Sequence, residues 1–166
     1  GACKGEHCPV FFERERFHPV DGGTFWLSDT PEVPSRTWRD RHRRICTWVR
    51  LDDRAAGSRL IVFNTHFPVL HYPQSRRRSA ELVASRIREL RQGDPVILTG
   101  DFNSTPRSAA WRVFGREELM DSEVRVNGRR GLTPTWHLRG LPLIRLDAIF
   151  LCDRWVVREH RVLADR

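Results

Sequence analysis

Lysine is almost missing from this chain: of its 29 basic residues, all but Lys4 are arginine. Long apolar runs are missing too. None approaches the ~18 residues needed to cross a bilayer. A membrane span is thereby excluded, and a soluble protein, leaning to the cytoplasm, is expected; the opening residues show no signal peptide. Closely spaced cysteine pairs are absent. Cys3, Cys8, Cys46 and Cys152 form no C-x-x-C, which excludes zinc-ribbon and thioredoxin-type motifs. The Cys3/His7/Cys8 cluster is too irregular for a metal site. Cys46 and Cys152 lie in apolar surroundings and read as small buried residues. Internal repeats and low-complexity tracts are also lacking, so the chain is neither a solenoid nor a linker.

What is present suits one domain over residues 1–166. The chain has 166 residues and 39% hydrophobic content, enough to bury a sizeable core but too short for two. Its formal charge is +8 and its pI about 10.7. Arginine forks match phosphate oxygens, and a basic surface attracts polyanions, so nucleic acid is a plausible partner. The competing explanation is a coding bias that writes arginine wherever a surface cation is wanted.

Strand patterns dominate. VFF (10–12) reads as a short strand, and FWL (25–27) as another after a DGG turn. RICTWVRL (44–51) and RLIVFNTHF (59–67) flank the turn stretch DDRAAGS and predict a hairpin. The period then changes: Ala80, Val83, Ala84, Ile87 and Leu90 predict an amphipathic helix over 75–91, with Ser75 as its cap. PVILTG is a continuous apolar strand of the sort buried on both faces. Thr105-Pro106 opens a second helix, and 115–131 reads as an Arg-rich loop. LTPTWHL, LDAIFL and WVVREHRVL complete a β-rich tail. The fold class is mixed α/β, sheets covered by helices.

Three apolar strands carry polar residues suited to phosphate chemistry: Asn64 and His66 in VFNTHF, Asp101 and Asn103 in VILTGDFN, Arg145 and Asp147 in IRLDAIF. Each has a bland explanation. A histidine after a strand is commonly structural, and an aspartate after glycine is commonly a turn or cap residue. Asp147 lies inside an apolar run, where an unpaired carboxylate is costly to bury. Arg145, two residues earlier, is positioned to pair with it; the alternative is that Asp147 orients an imidazole. The spacing of Asp101 and Asn103 directs both to one side of an extended segment.

Together FNTHF (63–67), LTGDFNSTP (98–106) and RLDAIFL (145–151) resemble the endonuclease/exonuclease/phosphatase superfamily of DNase I-like, metal-dependent phosphoesterases. FWLSDTPEVPS (25–35) and RICTWVRL resemble its bacterial branch. The resemblance implies part of a four-layer α/β/β/α sandwich, and a hydrolase that attacks a phosphodiester or phosphomonoester with an activated water, nuclease-like, using Mg²⁺ or Mn²⁺. It implies that His66 donates to the scissile phosphate, and that Asp101 orients or deprotonates the water and touches metal. Asn103 would hold the water or a phosphate oxygen and serve as a second metal contact, and Asp147 would orient the catalytic histidine. Asn64, Arg145, Trp136 and His137 are expected to meet substrate, and His71 and Tyr72 to shape the pocket. The family's main metal-binding Asn and Glu precede these motifs and are expected upstream of Gly1; its Ser-Asp-His follows them. The chain therefore matches the central and C-terminal part of the domain, without its first strands and its last strand. Neither Glu6 nor His160 sits in the right context to replace the missing residues. Two other readings stand beside this one: a catalytically incomplete relative that binds phosphate or nucleic acid, and a purely structural α/β domain.

Overall fold

A computed structural model describes residues 7–128, 133–138 and 141–163. Among them are eight strands and three helices: β1 (Phe17–Trp26), β2 (Ile45–Asp53), β3 (Ser58–His66), α1 (Pro73–Leu90), β4 (Val96–Asp101), α2 (Ala109–Arg116), β5 (Met120–Asp121), α3 (Ser122–Asn127), β6 (Trp136–Leu138), β7 (Leu141–Ile144) and β8 (Asp147–Leu151). Six strands form one sheet in the order β1-β2-β3-β4-β8-β5, and β6 pairs with β7 separately. No helix among the described residues is long and apolar enough to cross a membrane.

The expected hairpin is β2–β3, closed by the turn at 54–57. β3 and β4 are parallel and joined by α1, because strands running the same way need a long crossover. The helix buries Ala80, Val83, Ala84 and Ile87 of the predicted stripe, while Leu90 is only partly buried. These side chains meet Phe63 and Leu98 from the sheet. α2 adds Trp111 and Phe114, which pack with Phe67, Phe102 and Phe150 at ring separations of 4.9–6.4 Å. The core thus lies on one face of the main sheet. On the other face Ile149 is 41% exposed.

Several local expectations change. VFF forms no strand: Phe11 is exposed and Pro9 spends its carbonyl on the Asn64 side chain. DGG is no turn but lies inside β1 opposite Trp48–Arg50. A Cβ at Gly23 would lie 3.1 Å from the Trp48 indole nitrogen, so the absent side chain makes room for that ring. PVILTG is sealed on the helix side by Val96 and Leu98, whereas Ile97 and Thr99 are only half-buried. Ser75 does not cap α1. Pro73 starts the helix earlier, because its fixed φ already suits the first turn. Ser108, not Thr105-Pro106, begins α2, its side chain accepting from the Trp111 amide. The 115–131 stretch contains β5 and α3, the latter capped by Asp121. Residues 155–163 form no strand; side chains hold them, with the Trp155 indole donating to Val96 O at 3.0 Å.

Candidate active site

Strand register builds the site. β3 and β4 pair His66 with Asp101, and β4 and β8 pair Asp101 with Asp147. Side chains of directly paired residues share a face. Three strands therefore present His66, Asp101 and Asp147 as one row at the edge where they end. His66 Nε2 lies 3.5 Å from Asp101 Oδ2.

Gly100 permits this alignment. Its φ is +151°, and a Cβ there would lie 2.0 Å from the Thr65 carbonyl oxygen. Any other residue would push β3 and β4 apart beside the row.

Beyond Asp101 the chain leaves extended geometry, contrary to the expectation for this pair. Asp101 Oδ1 accepts from the Asn103 amide at 2.8 Å, and Asn103 takes φ +45°, a conformation asparagine tolerates. This turn swings the Asn103 side chain back toward His66. Its Nδ2 donates to Phe67 O at 3.0 Å and lies 3.1 Å from His66 Nε2. The Phe67 carbonyl sets the amide's orientation, with Nδ2 also beside the His66 ring.

Burial pushes the Asp101 carboxyl above its ordinary range. The charge of Asp147 pushes the same way, opposed by the Asn103 amide, His66 and Arg44. Asp147 is exposed rather than buried in the apolar run, because it occupies the strand's first position. Thr135 Oγ1 accepts from the amides of both Leu146 and Asp147 at 3.0 Å and holds the turn before β8. No sequence spacing pointed to this threonine.

Arg145 does not pair with the Asp147 carboxylate. Its Nε donates to the Asp147 carbonyl at 3.2 Å, and its guanidinium forks onto Asp121 at 2.7 and 2.9 Å. Glu123 Oε2 lies 2.6 Å from the same guanidinium, off the hydrogen-bonding direction. Arg145 thus borders the site with its charge already balanced. Asn64 lies two residues before His66 on the same face, donating to Pro9 O and accepting from Thr99 Oγ1. Trp136 is 42% exposed on β6, and the His137 side chain lies outside the described residues. Asn64, Thr99, Asp101, Thr135, Asp147 and His160 border one groove of about 450 Å³. His160, passed over in the sequence, is held there by Ser122 Oγ at 2.8 Å from its Nδ1.

A divalent cation fits this donor set in part. Asp101 and Asp147 are paired across β4 and β8, and the Asp147 charge adds to the burial that raises the Asp101 proton affinity. Mg²⁺ is commonly held by one or two carboxylates and water. Among the described residues no group of three His, Cys, Asp or Glu side chains could hold a metal. The Asn103 Nδ2 is turned onto His66 and Phe67. The main metal-binding Asn and Glu were expected upstream of Gly1, and Gly1 itself lies outside the described residues.

A sequence model of the endonuclease/exonuclease/phosphatase family matches residues 8–166. No curated protein matches the chain. Among solved structures, an endonuclease/exonuclease/phosphatase family protein from Bacteroides thetaiotaomicron is 31% identical, with a TM-score of 0.74 over 86% of this chain and 53% of its own. A mannosyl-6-phosphatase from the same organism is also 31% identical, with a TM-score of 0.74 over 86% and 55%. The catalytic domain of human nocturnin, with bound sulfate, shares the fold at 17% identity and a TM-score of 0.69, over 86% and 50%. The chain thus spans about half the length of the structures it matches.

Proposed function

Because the chain belongs to the endonuclease/exonuclease/phosphatase family, we propose that it contributes the water-activating part of a site that hydrolyses phosphoester bonds. The observation carrying this reading is the His66–Asp101–Asp147 row. Asp101 Oδ1 is engaged by the Asn103 amide, which leaves Oδ2 to take a proton from an attacking water. The new P–O bond forms as the ester P–O bond breaks, and the leaving alkoxide takes its proton from solvent water. His66, held beside Asn103, would donate a hydrogen bond to a phosphate oxygen. Mg²⁺ or Mn²⁺, with Asp147 as one ligand, would supply positive charge to the phosphate oxygens.

Nucleic acid is the substrate class that the +8 charge favours. A sugar phosphomonoester is the second reading, favoured by the 31%-identical mannosyl-6-phosphatase. Plasmid DNA, bis-p-nitrophenyl phosphate, p-nitrophenyl phosphate and mannose 6-phosphate, each assayed with the full-length gene product under Mg²⁺ titration, separate the two. Turnover abolished by EDTA and lowered about 10²-fold or more by Asp101→Ala is expected. Metal-independent phosphate binding without turnover would instead favour the binding-module alternative.

A further inference from the structure

Four arginines are buried among the described residues: Arg44, Arg50, Arg76 and Arg145. Arg44 is paired with Asp40, Arg50 with Asp21 and Asp94, and Arg145 with Asp121 and Glu123. Arg76 differs. Its partners are neutral: Nε donates to Ser104 Oγ at 2.9 Å and Nη1 to Val69 O at 2.7 Å. It belongs to the run Arg76-Arg77-Arg78, which reads in sequence as a solvated helix face. Arg77 and Arg78 are exposed as that reading expects, but Arg76 is 8% exposed.

A buried charge without a carboxylate is expensive, and an apolar side chain of similar volume would serve stability as well or better. What the guanidinium supplies is a rigid fork that reaches two places at once. Val69 lies in the loop after His66, and Ser104 directly follows Asn103. Those loops also meet at the site, where Asn103 Nδ2 contacts both His66 Nε2 and Phe67 O and the Phe67 amide donates to Asp101 O at 2.9 Å. The path His66–Val69–Arg76–Ser104–Asn103–His66 is therefore closed. Ser104 is itself anchored, its carbonyl accepting from the Trp111 indole at 2.8 Å.

We propose that Arg76 is a positioning residue that clamps the loop after His66 to the loop after Asn103 and so fixes the His66–Asn103 contact. It touches neither substrate nor reacting atoms. Its effect on turnover rests on the phosphoesterase reading, whereas its effect on the two loops does not.

The test is Arg76→Met in the full-length gene product, read by amide hydrogen exchange and by the ¹⁵N shifts of the His66 ring. Exchange at Phe67 and Asn103 should rise about tenfold while the centres of α1 and β4 keep their protection. The ¹⁵N shifts of the His66 ring should change as its contact with Asn103 loosens, and the urea midpoint should hold or rise. Where wild-type turnover is measurable, kcat should fall with little change in KM. Unchanged exchange and an unchanged ring signature would overturn the proposal. So would exchange rising uniformly through α1 and β4 with a falling urea midpoint, which would make Arg76 a stability residue. If Arg76→Met does not fold, Ser104→Ala decides by the same readouts: a smaller shift in the same direction supports the clamp, and no shift overturns it.

Discussion

Asp101 shows how one residue holds function and stability in opposition. Burial raises its pKa in the folded chain, so the folded state binds this proton more tightly than the unfolded one. Ionisation therefore costs stability. The loss begins as pH rises above the unfolded value of about 3.9, continues through the raised folded value and persists above it. Asp101→Asn keeps an oxygen for the Asn103 amide and removes the charge facing Asp147. The variant should melt above the wild type at pH 7 while losing turnover, and the gap should narrow on acidification through that window. Thermal unfolding across the pH series checks this; a variant no more stable than wild type at pH 7 would show that the cost of burying the charge is outweighed by what the carboxylate gains from its neighbours. The acid at this position was visible in TGDFN, because an aspartate and an amide after an apolar strand stand out. Its environment was not, since Asp147 and His66 approach only through strand pairing.

At the scale of elements, a buried charge cluster joins the turn before β8 to β5 and the start of α3. Arg145 is 3% exposed, Asp121 5% and Glu123 3%. Thr133 Oγ1 donates to the other Glu123 oxygen. Removing the cation leaves two buried carboxylates without a counter-charge. Arg145→Met should therefore cost about 3–5 kcal/mol in urea unfolding, and Arg145→Lys should recover only part, because an ammonium cannot fork onto Asp121. A loss below about 1 kcal/mol would mean that water reaches these carboxylates. Here the sequence misled in a specific way. Arg145 and Asp147, two apart on an apolar strand, suggested a pair; the carboxylates that take Arg145 lie in a stretch read as loop. Local spacing carries no information about a partner more than twenty residues away. The same holds for Arg76, whose burial depends on Ser104 in another loop.

For the whole molecule, charge is the property to test. Much of the arginine content is spent internally, on Asp21, Asp52, Asp53, Glu81, Asp94 and Glu117 among others. Arg36, Arg41 and Arg43 are exposed and line one surface depression. If this excess serves nucleic acid, binding of plasmid DNA should weaken about 10²-fold or more between 50 and 200 mM salt, as counterion release requires. Arg41→Gln with Arg43→Gln should flatten that slope. A salt-independent shift, or a slope untouched by both changes, would move the reading toward the sugar phosphomonoester.

The amino-acid sequence by itself determined the family, the mixed α/β class, the β2–β3 hairpin, the α1 stripe and the polar residues at the ends of β3, β4 and β8. These depend on local period and on residue types within a few positions of one another. Only the tertiary structure decided that His66, Asp101 and Asp147 stand in one row, that Asn103 turns back onto His66, and that Arg76 and Arg145 are buried. Those facts rest on register between strands and on contacts across long stretches of chain. Register follows from packing one whole sheet face against two helices, and no short window of sequence contains that information.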